Sequence, residues 1–238
     1  EAIKRICIEN KGRYGYRRVT LELHHKGYGT NHKLVMKLMK QAHLTCRLRA
    51  KKYHSYRGTV GKIAPNLLQR DFRALRPNTK WTTDITEFKL LGQKLYLSPI
   101  MDLFNREIVS FSLSNNPSFH PVTEMLKSAF QKIPNGTQLI LHSDQGWQYQ
   151  MRSYQKMLKD KGVRQSMSRK GNCYDNSVME NFFGILKSEF FHNKKFSSVE
   201  QFSKELSEYI DYYNNRRIKV KLKGLSPVQF RTQSFQTT

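Results

Sequence analysis

An α/β fold preceded by a small helical unit is the class this sequence predicts, and three observations carry it. Apolar residues up to about position 44 recur at helical spacing. From Lys80 onward the spacing changes to that of strands. Helical stretches then alternate with two further short apolar runs, giving the order βββαβαβα and a mixed five-stranded sheet with flanking helices. At 238 residues the chain has room for a core domain with smaller attachments.

The chain opens at Glu1 in IKRICIEN, which reads as a helix already under way, so a preceding segment is expected. GRYGYRRVTLELHHKGYGTNHKLVMKLMKQAHL follows with two helical patterns separated by the turn residues Gly27 and Gly29. Tyr16, Val19 and Leu23 form the apolar side of the first. Asn31 is the expected N-cap of the second, whose apolar stripe is Leu34, Val35, Leu38 and Met39. Residues 1–50 thus read as a helix-turn-helix domain. KKYHSYRGTVGKIAPN has no clear period and begins a basic linker over 51–75.

KWTTDITEFKL, QKLYLSPIMDLF and REIVSFSLS are three strand-like runs rich in β-branched and aromatic residues, arranged as an antiparallel meander. PVTEMLKSAFQKI is a helix with Pro121 in its first turn, and TQLILHS is a continuous apolar run suited to a strand covered on both faces. QMRSYQKMLKDKG is helical, VRQSMS is a strand, and RKGNCYDN is a loop leading to the helix SVMENFFGILKSEFF. This catalytic core is expected to span 76–193. A helical extension over 194–238 carries a capping box at Ser197 and Glu200, a core stripe of Val199, Phe202, Leu206, Tyr209 and Tyr213, and a last helix starting at Pro227.

Charge narrows the range of partners. The 42 Lys and Arg outnumber 18 acids, for a net charge of +24. Half of that excess lies in residues 1–60, with 15 basic residues and 3 acids. A polyanion, nucleic acid above all, is the partner such a surface fits. Lys33, Lys37 and Lys40 fall on one face of their helix, where a helix-turn-helix would present them to DNA phosphates; a solubilising lysine face is the alternative. Cys7, Cys46 and Cys173 form no CxxC and no zinc-ligand spacing, as expected of reduced thiols in a cytoplasmic protein. No apolar stretch has the length of a membrane span, and no membrane partner is expected.

Three acids stand out. Asp84 lies in the first strand-like run, Asp144 at the carboxyl end of the doubly covered strand, and Glu180 on the polar side of a helix whose other side holds Val178, Phe182, Ile185 and Leu186. Taken alone, Glu180 reads first as a solvated surface charge. Three clustered carboxylates repel one another unless a cation joins them, and an all-oxygen set favours Mg²⁺ or, in its place, Mn²⁺.

WTTDITEF around Asp84, HSDQGWQY around Asp144 and SRKGNCYDNSVMENFFGILKSEFF around Glu180 resemble the integrase-like transposases of bacterial insertion sequences, specifically the second-frame product of the insertion-sequence-three family. Asp144 and Glu180 are separated by 35 residues, the spacing of the D,D(35)E class. YGYRRVTLEL near the front and YNNRR with LSPVQF near the end extend the resemblance over nearly the whole chain.

The resemblance implies a ribonuclease-H-like fold of retroviral-integrase type. It implies a DNA transposase whose Asp84, Asp144 and Glu180 are catalytic and hold metal, with two Mg²⁺ ions per site. Its substrates would be the terminal inverted repeats of a mobile element and target DNA, cleaved and joined without a covalent protein–DNA intermediate. Lys187 would contact DNA near the scissile phosphate. Arg17, Arg18, Arg169, Lys170 and Trp147 join it as expected DNA contacts, with core packing an equal reading of Trp147 and a solvated loop the alternative for Arg169 and Lys170. An upstream-frame segment and at least a dimer on DNA are expected. His142, Asp102, Glu87, Asp175 and Asn176 are read first as structural. Two other functions fit the same features: a ribonuclease-H-like nuclease that cannot join strands, and an inert-core DNA-binding protein.

Overall fold

The computed structural model describes residues 1–44, 61–192 and 194–236, with backbone only at 173, 235 and 236. Cys46, the end of the expected helix-turn-helix at 45–50 and the linker residues 51–60 lie outside that range. The chain forms two compact units: residues 1–51, 185–194 and 211–238 make the first, and 52–184 with 195–210 make the second.

In the first unit, α1 (Ala2–Glu9), α2 (Tyr16–His25) and α3 (His32–Gln41) follow the expected helical periods. Asn31 caps α3 as predicted, its side-chain oxygen accepting from the Lys33 amide at 2.9 Å. The stripe on α3 is narrower than expected. Val35 and Met39 are buried while Leu34 and Leu38 are exposed, because a ten-residue helix turned toward one neighbour, α2, buries only its i, i+4 line. Tyr16 is likewise only half-buried, beside the buried Val19 and Leu23 of α2.

The six strands among the described residues all lie in the second unit. β1 (Lys80–Thr83), β2 (Thr86–Leu90), β3 (Gln93–Asp102) and β4 (Ile108–Ser114) precede α4 (His120–Phe130). Next come β5 (Ile140–Ser143), a short α5 (Trp147–Gln150), α6 (Arg152–Lys161) and β6 (Arg164–Met167). The first predicted strand is two strands, divided at Asp84 and Ile85. β1 pairs Thr83 with Ile100 and β2 pairs Thr86 with Leu97, so both lie antiparallel to β3 in one register. The break falls opposite Pro99, which has no N–H for a ladder. The Ile85 amide is taken instead by Asp84 Oδ1 at 2.7 Å. Six strands therefore fill five rows, with β4 and β6 at the two edges and the parallel β1–β5–β6 part beside the antiparallel one.

Strand alternation sorts the faces. Trp81, Ile100, Val109 and Leu141 point into a core completed by Val122, Met125 and Leu126 of α4 and by Tyr154 and Leu158 of α6. Ile140 points to the other side and packs with Leu68 and Leu103, joined by Val178. Further along that side, Phe202 stacks edge-on against Phe88 at 5.2 Å between ring centroids. All four residues of β5 are buried, as the apolar run predicted.

Residues 61–75 contain no helix or strand, yet they are tied along β6. The Leu67 amide donates to Ser166 Oγ at 2.9 Å and the Met167 amide to the Pro65 carbonyl at 3.2 Å. The loop before the late helix closes with a 3₁₀ turn, Cys173–Asn176, and α7 runs Ser177–Leu186 before a π-helical turn, Lys187–Phe191.

The cap of α8 (Val199–Asn215) falls one residue later than expected. Ser198 Oγ accepts from the Gln201 amide at 3.1 Å, while the Gln201 side chain accepts from the Ser197 amide at 2.8 Å. The box is thus built on Ser198 and Gln201 rather than Ser197 and Glu200, since the capping oxygen must meet the amide three residues on. α9 (Pro227–Gln236) starts at Pro227 as predicted, capped by Ser226.

Candidate active site

β1 and β5 run side by side and parallel, pairing Lys80 with Ile140, Trp81 with Leu141 and Thr82 with His142. Asp84 and Asp144 each come two residues after the last of these pairs, immediately beyond the two carboxyl ends. Alternation places both on the side shared by Thr82 and His142. The chain diverges here, because β2 continues along β3 while β5 stops at Ser143.

Asp144 is half-buried. Burial pushes its carboxyl up, and a hydrogen bond from the Gly146 amide to Oδ1 at 2.9 Å opposes the rise. The approach at Gly146 is close: a Cβ there would lie 3.0 Å from Asp144 Oδ1 and 2.6 Å from Gln148 Nε2, so a larger residue would displace the Gln148 side chain and crowd the carboxylate. Beneath the aspartates, Tyr149 is fully buried. Burial first, then the charges of both Asp84 and Asp144, push its phenol well up, so this ring senses the two carboxylates together. It packs edge-on against Tyr154 at 5.4 Å.

Glu180 is half-buried on α7, and burial raises its carboxyl too. Four residues earlier, Asn176 fixes the entry to that helix. Its Oδ1 accepts from Thr82 Oγ1 at 2.8 Å and its Nδ2 donates to the Thr83 carbonyl at 3.4 Å. Residues four apart share a helix face, so Glu180 lies one turn beyond the side chain bonded to β1. Among the described residues no three His, Cys, Asp or Glu side chains converge as one cation-holding group. The strand register brings Asp84 and Asp144 to adjacent strand ends, and the Asn176 bond ties the start of Glu180's helix to β1.

His142 and Asp175 hold this arrangement from behind. His142 Nε2 donates to the Asp175 carbonyl at 2.9 Å, and Nδ1 lies 2.8 Å from Ser166 Oγ. Burial lowers the imidazole to about 4, leaving it neutral at pH 7. The Asp175 side chain is fully buried. It accepts from Arg169 Nε and the Arg169 amide, from Arg70 Nε and from Asn66 Nδ2, all at 2.9–3.0 Å. The Arg169 guanidinium, first among these, holds the carboxyl far below the usual range.

The remaining predicted contacts are placed as follows. Arg169 spends two nitrogens on Asp175 but stays exposed, beside the exposed Lys170. Trp147 opens α5 and is 45% exposed. Lys33, Lys37 and Lys40 are exposed on α3. Arg17 is exposed on α2, whereas Arg18 reaches Glu189 Oε1 at 3.4 Å. Lys187 is half-buried at the start of the π-helical turn. Asp102 accepts from the Asn78 and Phe104 amides, a structural role consistent with its burial.

Residues 74–173 and 180–235 match two models described as integrase core domain, and residues 1–52 match an HTH-like domain. Over 233 residues the chain is 56% identical to the putative transposase InsK for insertion sequence element IS150 of Escherichia coli, covering 98% of this chain and 82% of that one. The chain belongs to the integrase-core transposases of insertion sequences. An uncharacterized transposase-like protein of Haemophilus influenzae is 57% identical to the transposase over 204 residues, 86% of this chain and 94% of that protein. Transposase InsF for insertion sequence IS3A of Escherichia coli is 36% identical, covering 94% and 79%.

Among solved structures, the simian T-cell lymphotropic virus intasome gives a TM-score of 0.58 at 19% identity, covering 97% of this chain and 74% of that one. The HTLV-2 integrase catalytic core domain in complex with magnesium gives 0.54 at 17%, covering 67% and 99%. These likenesses concern the fold, which is ribonuclease-H-like. As a DDE-type enzyme the transposase is a polynucleotidyl transferase, and DNA is its substrate. No helix among its described residues is long and apolar enough to cross a membrane.

Sequence reasoning missed how Thr82 and Asn176 join β1 to α7. Their only trace was a polar residue two before Asp84 and another four before Glu180, each on the face of its neighbouring acid. Tyr149 was also missed, since an aromatic five residues after Asp144 reads as ordinary core.

Proposed function

We propose that Asp84, Asp144 and Glu180 are the catalytic carboxylates of the transposase and hold two Mg²⁺ ions, replaceable by Mn²⁺. The observation that carries this reading is the pairing of Thr82 with His142, which sets Asp84 and Asp144 side by side on the face where α7 enters. The donor set fits such ions: it is all oxygen, and burial raises Asp144 and Glu180 without a protein cation among the causes. When bound, the metal activates a water or 3′-hydroxyl and stabilises the oxygen leaving the phosphodiester.

The protein's own part is placement. Gly146 holds the Asp144 carboxylate by its amide, Asn176 sets the start of α7, and Tyr149 and Tyr154 keep the floor dry. Lys187, Arg169, Lys170 and Trp147 contact the DNA near the cleaved strand. Lys33, Lys37, Lys40, Arg17 and Arg18, in the helix-turn-helix domain of residues 1–50, bind terminal inverted repeats. A linker over 51–75 leads to the core at 76–193 and the extension at 194–238. Two element ends and a target call for at least a dimer on DNA, with an upstream-frame segment as a further partner. A cytoplasmic location accords with these partners.

Nicking of supercoiled plasmid in Mg²⁺ or Mn²⁺ tests the reading. Loss of nicking in both Asp144→Asn and Glu180→Gln, with DNA binding retained, is the expected result; nicking that survives both substitutions sinks the assignment. Binding should weaken steeply with salt, because many phosphate contacts release counterions.

A further inference from the structure

Immediately before the entry to α7, Tyr174 is 69% exposed, although a large ring of this kind is normally covered at least on one side. The Arg70 guanidinium carbon lies 5.7 Å from the centroid of this ring. Arg70 is itself fixed: Nε bonds Asp175 Oδ1 at 2.9 Å and a terminal nitrogen bonds Asn172 Oδ1 at 3.1 Å. Arg169 is fixed on the same carboxylate by Nε and one terminal nitrogen. Each guanidinium keeps its other terminal nitrogen for a further partner. The buried Asp175 offsets one of these two positive charges, so an anion meets a net positive site with exposed Lys170 beside it.

The position of this cluster gives it meaning. Asp175, next to Tyr174, accepts through its carbonyl from His142, and Asn176 accepts from Thr82. His142 and Thr82 each stand two residues before one of the paired aspartates. A ring and two anchored arginines are thus coupled by one hydrogen bond apiece to the strands that present the reacting carboxylates. Successive bases of an unpaired strand stack on exposed aromatic faces, and arginines held in advance grip the intervening phosphate at little entropic cost.

We propose that Tyr174 is a stacking platform for one unpaired base of the DNA strand end, with Arg70 and Arg169 gripping the phosphate next to that base. This rests on the transposase reading and extends it, because it assigns the enzyme a preference for DNA ends whose terminal bases are splayed apart.

The test needs no cleavage, so its failure is distinct from failure of the carboxylate assignment. Fluorescence anisotropy would compare the full chain's binding to a blunt duplex, to the same duplex with a three-nucleotide adenine overhang, and to that overhang made abasic. The parent should favour the adenine overhang over both others. Tyr174→Ala should lose roughly 10-fold for the overhang and nothing for the blunt duplex, while Tyr174→Phe keeps the parent's preference because stacking uses the ring. Arg70→Ala should weaken adenine and abasic overhangs alike. A parent with no preference for the overhang overturns the proposal, as does Tyr174→Ala with an unchanged ratio or Tyr174→Phe falling as far as alanine.

Discussion

Thr82 Oγ1 donates a 2.8 Å hydrogen bond to Asn176 Oδ1, joining the strand that leads into Asp84 to the turn that starts the helix of Glu180. Both residues are buried, so neither group has water as a substitute. Asn176→Ala should cost about 1–3 kcal/mol of stability by orphaning buried polar groups. Nicking at a temperature where the variant remains folded should fall further than its metal affinity. Urea unfolding alongside a Mn²⁺ titration of nicking would separate the two effects.

The raised Asp144 carboxyl implies a trade between stability and activity. A charged form that burial disfavours is costly in the folded state, so Asp144→Asn should melt higher than the parent in metal-free buffer. Saturating Mn²⁺ should add on the order of 1–3 kcal/mol to the parent and nothing to the variant. Thermal melts with and without metal check both statements.

His142 sets a pH dependence. Its folded value is about 4 against the ordinary 6.5. Above pH 6.5 the ring is neutral in both states; between 6.5 and 4 the unfolded chain takes up a proton that the folded chain refuses. Stability should therefore fall across that window, by roughly 3 kcal/mol in all. Asp175 is also lowered, by its arginine partners, and the stability this contributes is lost only as pH drops below 3.8, so the two windows separate. Urea midpoints at pH 7.5, 6 and 5 should decline in the parent and flatten in His142→Gln.

In the first unit, Glu189 and Arg217 form a forked ion pair at 2.6 and 2.8 Å with side chains 0% and 1% exposed. Glu189→Gln leaves a guanidinium buried without its counter-charge and should cost about 3–5 kcal/mol. Arg217→Met together with Glu189→Leu should recover much of that loss. Calorimetry on the two variants decides between a pair retained for stability and one that merely tolerates burial.

Much of this architecture was legible because strand and helix periods and the caps at Asn31 and Pro227 are local signals. The three acids stood out by position and by family resemblance, and their catalytic role is the proposal made above. What escaped was long-range. The break at Asp84 depends on Pro99, 15 positions later, and the clamp on Asp175 gathers Asn66 and Arg70 from a stretch with no period of its own. The α8 cap shifted by one residue because two adjacent serines offer equal local chemistry, and only the amide geometry chooses between them. Leu34 and Leu38 misled because a helical stripe records what could be buried, while the number of neighbours decides what is.

The two-residue interruption between β1 and β2 constrains how this region can evolve. Two is an even number, so Thr86, Phe88 and Leu90 resume on the side left by Thr82, and all three are buried. Insertion or deletion of a single residue there would turn Glu87 and Lys89 inward and expel Phe88. Identity at Ile85 can drift with modest penalty, whereas length cannot, so natural variation at the mouth of the site should be rich in substitutions and empty of single-residue gaps.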